Sequence, residues 1–116
     1  MKEERPWGSF EILHEDENCK IKKITVLPGQ RLSYQLHKKR QEFWTIIEGA
    51  GIAIVEGLTV DLPKGKSICI PKKTKHRVIN GSKENLVFIE VQTGTYFGED
   101  DIVRFSDDYG RVKEDD

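Results

Sequence analysis

Four side chains able to bind a metal occur in a short pattern, Gln35-x-His37-x4-Glu42, followed at a distance by His76. Successive strand side chains point to opposite faces, so Gln35 and His37 at i and i+2 project to the same side of a strand. Glu42 follows the charged Lys38-Lys39-Arg40-Gln41 turn and opens the apolar run 42–47. Pairing of those two strands would bring the carboxylate back to face the imidazole. Two imidazoles, an amide oxygen and a carboxylate suit a borderline divalent ion such as zinc, iron or manganese. The set is too rich in nitrogen for calcium and lacks the thiolates of a structural zinc site. It reads as a metal centre with room for a substrate.

The elements that must position these groups are strands. Short β-rich runs recur at 10–13, 19–27, 31–36, 42–47, 51–56, 58–62, 67–70, 76–79 and 86–92. Turn residues separate them: Pro28-Gly29, Glu48-Gly49, Glu56-Gly57, Pro63-Lys-Gly65, Pro71 and Asn80-Gly81. Many short strands at this spacing indicate an all-β sandwich or barrel. Glu56-Gly57 between two β runs has the form of a tight hairpin turn.

Composition narrows the function classes. A chain of 116 residues is near the commonest size for one domain, and 36% apolar residues suffice for one sandwich or small barrel. Nineteen basic and 20 acidic residues nearly cancel, so the basic excess of a nucleic-acid binder is missing. No apolar run is long enough for a membrane span or a signal-peptide core, and a cytoplasmic setting is expected. Cys19 and Cys69 form no CxxC pair or disulfide framework and, lying in apolar runs, are expected in the core.

The spacings resemble the two cupin motifs. The first is Gly29-x5-Gln35-x-His37-x4-Glu42-x6-Gly49, with Gln35 where most cupins carry histidine. The second is Gly65-x5-Pro71-x-Lys73-x2-His76-x3-Asn80, with Lys73 where the general pattern has glycine. Flanking segments sharpen the resemblance: Arg5-Pro-Trp-Gly8, Leu32-Ser-x-Gln35-x-His37, the block 90–105, and Asp108-Tyr-Gly-Arg111. Together they resemble the type II phosphomannose isomerase domain, which usually stands behind a mannose-1-phosphate guanylyltransferase domain in one bifunctional chain. The resemblance implies a cupin-type double-stranded β-helix, or jelly-roll barrel, as a single domain over residues 1–116, with a polar tail from about residue 107.

The Gln, His, Glu, His set also resembles that of the zinc-dependent type I phosphomannose isomerases. One divalent ion is therefore implied, zinc first, with cobalt, manganese, magnesium or iron as alternatives. Relatives often carry extra histidines where this chain has Lys38, Lys39 and Phe43, a difference expected at the pocket mouth. The resemblance covers the isomerase half only, so it implies no guanylyl transfer; a separate guanylyltransferase becomes a candidate partner.

The implied reaction interconverts mannose 6-phosphate and fructose 6-phosphate through a cis-enediol, feeding GDP-mannose and polysaccharide synthesis. Proton transfer needs a carboxylate near the metal. Glu90 is the candidate, an acid inside an apolar strand whose burial would raise its pKa; a surface-facing strand residue, or an ion-pair partner, is the competing reading. Arg104, placed with Glu90 in the catalytic set, and Arg111 lie in the matching terminal block and suit two-pronged phosphate binding. Lys20 and Lys22 share one strand face and could add to it, although a solvated surface position is the commoner fate of a lysine.

Other groups read as structural. His14 is expected in a solvated turn, Trp44 in the core or pocket wall, and Gly29, Gly49, Gly65 and Pro71 at turns. Glu99-Asp100-Asp101 reads as a solvated face or helix N-terminus before a metal site. A non-catalytic sugar-binding cupin and an iron-dependent oxygenase remain as alternatives to the isomerase. The runs 43–47 and 86–89 are apolar on both faces, so a homodimer is expected to cover the outer one.

Overall fold

A computed structural model describes residues 2–110. The strands are β1 (Lys2–Arg5), β2 (Gly8–Glu15), β3 (Cys19–Val26), β4 (Tyr34–Leu36), β5 (Arg40–Glu48), β6 (Gly51–Val55), β7 (Leu58–Leu62), β8 (Ser67–Ile70), β9 (His76–Ile79), β10 (Leu86–Gly94) and β11 (Val103–Ser106). They form two antiparallel sheets, ordered β1-β2-β3-β10-β5-β8 and β11-β4-β9-β6-β7. No helix occurs among the described residues, and so none long and apolar enough to cross a membrane. The expected all-β class is the observed one.

What positions the site is a change of chemistry along the inward faces of three paired strands. β3 presents Lys20, Lys22, Ile24 and Val26 inward; β5 presents Arg40, Glu42, Trp44 and Ile46; β10 presents Leu86, Phe88, Glu90 and Gln92. Antiparallel register stacks like with like. Gln92 lies opposite Lys20 and Glu42, Glu90 opposite Lys22 and Trp44, and Phe88 opposite Ile24 and Ile46. One end of the interior is therefore an apolar core, joined by Trp7, Leu62, Ile70 and Val78, and the other end is charged. Burying the apolar end drives folding at about 25 cal/mol per Å². The charged end costs stability unless its groups pair.

Turn chemistry closes the strands. Glu56 and Gly57 both have positive φ (49° and 79°), the conformation of a two-residue primed hairpin joining β6 to β7. Gly49 has φ 75°, and a Cβ there would stand 2.2 Å from the Asn85 carbonyl oxygen, so only glycine fits. Buried Asn80 ties the β9–β10 turn together. Its Nδ2 donates to the carbonyls of Val26 (2.9 Å) and Glu84 (2.7 Å), and its Oδ1 accepts from the Ser82 amide (3.0 Å) and hydroxyl (2.8 Å).

Several expectations need correction. β4 and β5 do not pair; they belong to opposite sheets. The 31–36 run is a strand only at Tyr34–Leu36, with a single bridge from Arg31 to Ile79. Cys69 is exposed and Cys19 only half-buried, because both fall on outward phases of their strands. His14 lies within β2, exposed and hydrogen-bonded to Asp16 (2.8 Å). The edge strands β1 and β11 were not foreseen; polar and short, they carry little apolar alternation.

Candidate metal centre and substrate pocket

The donor groups meet across the interior, from one sheet to the other. Glu42 comes from β5, His76 opens β9, and His37 follows β4 directly. Glu42 Oε2 lies 3.4 Å from His37 Nδ1, and Oε1 lies 3.8 Å from His76 Nε2. One ligand atom from each of the three falls within 4.8 Å of the others, and all three residues are buried. His76 Nδ1 sits 2.8 Å from the Thr74 carbonyl, so this nitrogen carries the proton and Nε2 keeps its lone pair toward Glu42. Gln35, opposite His76 in the β4–β9 register, lines the same pocket. Its Nε2 donates to the Ser33 hydroxyl (3.0 Å), which leaves the amide oxygen as the ligand-capable atom.

Protonation states in this cluster are those a divalent cation requires. Burial drives the His37 pKa down to about 4 against the pull of Glu42, so the imidazole is neutral at pH 7. Burial alone would raise the Glu42 carboxyl, but His37, His76 and Arg40 outweigh it and hold the group well below the usual range. Neutral imidazole and ionised carboxylate are the metal-binding forms, so the charge states of His37 and Glu42 suit a cation; His37 Nε2 accepts from Arg40, which leaves the imidazole proton on Nδ1 toward Glu42, to be released if that nitrogen is the ligand.

Glu90 faces inward and is buried, which removes the outward-facing alternative. Burial first, and the neighbouring Glu42 carboxylate second, push its pKa up to about 8. Trp44 Nε1 donates to both carboxylates, at 3.0 Å to Glu42 and 3.2 Å to Glu90, and Gln92 Nε2 donates to Glu90 at 2.8 Å. Trp44 is thus pocket wall and hydrogen-bond donor at once.

The cations divide. Lys20 and Lys22 are 7% and 4% exposed, a correction to the solvated position expected of them, and both pair with Glu99, at 3.6 Å and 2.6 Å. Arg104 stands opposite Gln35 in β11 and lines the pocket. Arg111 falls outside the described residues. Nearby, Asp108 forms a two-pronged pair with Arg31 (2.7 and 2.8 Å), and Tyr109 donates to Gln30, so the Asp108-Tyr109 motif clasps the chain end to the second sheet.

Two functional groups escaped the sequence reading. Arg40, assigned to a turn, is the first residue of β5 and in phase with Glu42; its guanidinium donates to Glu42 Oε2 (3.0 Å) and contacts His37 Nε2 (3.1 Å). The period-two pattern Arg40-x-Glu42-x-Trp44 carried that signal. Glu99, read with a solvated acidic run, reaches the buried lysines. Asp101 accepts from the backbone amides of Lys38 (3.0 Å) and Lys39 (2.9 Å), and no helix begins there. No local sequence signal distinguishes these two acids from Asp100.

A family model described as mannose-6-phosphate isomerase, C-terminal, matches residues 1–107. A mannose-1-phosphate guanylyltransferase of Salmonella montevideo is 44% identical over 107 residues, which are 92% of this chain and 23% of the relative. The alginate biosynthesis protein AlgA of Pseudomonas aeruginosa is 43% identical over 110 residues, 95% of this chain and 23% of its own length. The chain thus spans under a quarter of the curated relatives it matches. Among solved structures, the capsular polysaccharide assembling protein CapF of Staphylococcus aureus superposes with a TM-score of 0.82 over 91% of this chain and 31% of that one, at 15% identity. A double-stranded β-helix protein of Klebsiella pneumoniae gives 0.71 over 80% and 79%, at 20% identity. The fold is the cupin-type double-stranded β-helix.

Proposed function

Because this chain belongs to the mannose-6-phosphate isomerase C-terminal family, we propose that it is a metal-dependent aldose–ketose isomerase acting on mannose 6-phosphate and fructose 6-phosphate. The observation that carries the reading is the convergence, in one pocket, of His37, Glu42 and His76 with a second buried carboxyl, Glu90, beside them. Gln35, His37, Glu42 and His76 hold a divalent ion, zinc first. Such an ion supplies Lewis acidity and offsets negative charge developing on the substrate's oxygens.

The chain's own residues do the rest. A pKa near working pH is what a group needs if it must both take and return a proton. Glu90 fits that requirement: its ionised form takes the proton from C2 of the aldose and returns it to C1, while the hydroxyl proton passes from O2 to O1. Arg40 holds Glu42 and His37 in place, and Trp44 fixes the two carboxylates relative to each other. Lys22, Lys20 and Arg104 supply the positive charge that a phosphorylated sugar needs, with Arg111 as a further candidate. A separate mannose-1-phosphate guanylyltransferase is a candidate partner further along, acting once the phosphoryl group has been moved from C6 to C1. A second copy of this chain is the proposed cover for the outer face of the six-stranded sheet, where Phe43 and Ile47 are exposed.

The test is conversion of mannose 6-phosphate by chelator-stripped protein, with zinc, cobalt, manganese, magnesium or iron(II) added back one at a time. Turnover restored by metal and lost in His76→Ala is the expected result. Folded protein that shows no turnover with any of these ions is instead a sugar-binding cupin, and oxygen consumption with iron would make it an oxygenase.

A further inference from the structure

The charged end of the interior holds an arrangement that the isomerase reading leaves unexplained. Lysines are almost never fully buried unless paired, yet β3 turns two of them inward. Both share one carboxylate oxygen, Oε1 of Glu99. Two ammonium groups therefore face a single negative charge. Lys22 Nζ also lies 4.2 Å from the centre of the Phe10 ring, an attractive contact that brings no countercharge.

Glu99 comes from the segment between β10 and β11 and not from a strand. Its side chain is 49% exposed, whereas those it pairs with are 9% and 5% exposed. The segment around it is pinned by Asp101 on the Lys38 and Lys39 amides and by the Thr95 amide on the Lys39 carbonyl. The Glu99 side chain can thus turn out to solvent while the backbone stays. With Glu99 inward, the pocket it lines encloses about 90 Å³. Ligand pockets run to roughly 300–1,000 Å³, so a phosphorylated hexose needs this wall to open.

We propose that Glu99 is a specificity-determining residue of the pocket mouth: its carboxylate occupies the subsite of the substrate's phosphoryl group on Lys22 and Lys20, and a phosphate dianion displaces it. This rests on the sugar-phosphate reading above. A phosphoryl group carries about −1.5 to −2 charge at pH 7 and three acceptor oxygens, which matches two ammonium groups better than one carboxylate does. A neutral sugar offers nothing to replace the ion pairs it would break. The resident carboxylate thus sets a threshold that only a phosphorylated substrate crosses.

The test is calorimetric titration of inorganic phosphate into the full chain with chelator present, so that phosphate cannot coordinate a metal. Wild type, Glu99→Gln, Lys22→Met and the double variant are compared, with thermal melts to confirm that each is folded. Removing a competing ion pair should tighten phosphate binding in Glu99→Gln by about tenfold. Lys22→Met should abolish measurable binding, and the double variant should stay as weak, which places the gain at this subsite and not in the change of net charge. Phosphate that binds wild type through Lys22 but no tighter in Glu99→Gln overturns the displacement and leaves the sugar-phosphate reading standing. Phosphate that binds neither wild type nor Glu99→Gln, or that ignores Lys22→Met, overturns both.

Discussion

Replacing Glu90 by glutamine isolates the proton that the Glu42–Glu90 pair shares. Without metal, burial and the Glu42 carboxylate push Glu90 up to about 8 from an ordinary 4.5. Between those values the folded chain holds one proton more than the unfolded chain. Glu90 therefore stabilises the fold fully below about pH 4.5, and that contribution is lost as pH rises through 8. His37 works in the opposite sense. Its folded pKa is lowered from 6.5 to about 4, so its contribution is present above pH 6.5 and lost as pH falls toward 4. From pH 6.5 to 8 the unfolded imidazole of His37 completes its deprotonation, a gain of less than about 0.5 kcal/mol, while Glu90 loses stability up to half-ionisation at pH 8. At about 1.4 kcal/mol per pH unit for a full proton, the net loss over the interval is about 1 kcal/mol.

Glutamine keeps one donor and one acceptor, as a protonated carboxyl does, but it cannot titrate. Urea unfolding in chelator at both pH values should show wild type losing about 1 kcal/mol and Glu90→Gln gaining less than about 0.5 kcal/mol. Parallel pH dependence in the two proteins would refute the reasoning, since it would mean that Glu90 is ionised in the fold. If Glu42→Gln were the insensitive variant instead, the proton would reside on Glu42. With metal restored, Glu90→Gln should lower turnover by about 10²–10⁴-fold and leave the ion bound.

His76→Ala removes a ligand whose tautomer is fixed by the Thr74 carbonyl; zinc affinity by competition with a chromophoric chelator should fall by about 100-fold or more, beyond the loss usual for outer-shell partners. Asn80→Ala strands the buried Val26 carbonyl and removes the partner of the Glu84 carbonyl and the Ser82 donors in the exposed turn that follows. It should cost about 2–3 kcal/mol in urea unfolding, and a loss under 0.5 kcal/mol would show that water replaces these bonds. Lys73 has φ 62° at the position where the general cupin pattern has glycine. Lys73→Gly should therefore stabilise the chain by about 0.5–1 kcal/mol, read as a shift in urea midpoint at constant slope.

The sequence exposed the site in proportion to how locally it is built. That Gln35, His37 and Glu42 line one pocket was readable because they sit within one short motif and turn residues mark the strand ends. The route by which they converge was not readable: pairing of β4 with β5 was the simplest local guess, whereas His37 and Glu42 meet from opposing sheets. Arg40 was lost to a boundary error of two residues, which moved it from a strand phase shared with Glu42 into a turn. Lys20 and Lys22 were misjudged because lysine is normally solvated. Their burial depends on Glu99, far away in sequence, and no periodicity within β3 encodes that partner. The cysteines erred for a plainer reason: an apolar run does not fix which phase of it faces inward, and Cys69 lies on the outward phase opposite Phe43.

The proton on Glu90 also bears on the phosphate subsite. Glu90 and Lys22 stand directly opposite each other on β10 and β3, both turned inward. An ionised Glu90 would be the natural partner of that ammonium and would draw it away from the pocket mouth. Instead Glu42 takes the negative charge, stabilised by His37, His76 and Arg40, and its proximity keeps Glu90 neutral. Lys22 is then left to reach Glu99 at 2.6 Å, an acid whose side chain can turn out in favour of a ligand. One carboxylate at the triad thus does two things at a distance: it keeps a proton available beside the metal centre and a cation available for an anionic substrate. The two functions are coupled, so Glu42→Gln should weaken inorganic phosphate binding as well as metal binding. Glu90 would then ionise at neutral pH and compete for Lys22. Phosphate affinity unchanged in Glu42→Gln, measured in chelator, would separate the two ends of the pocket and sink the coupling.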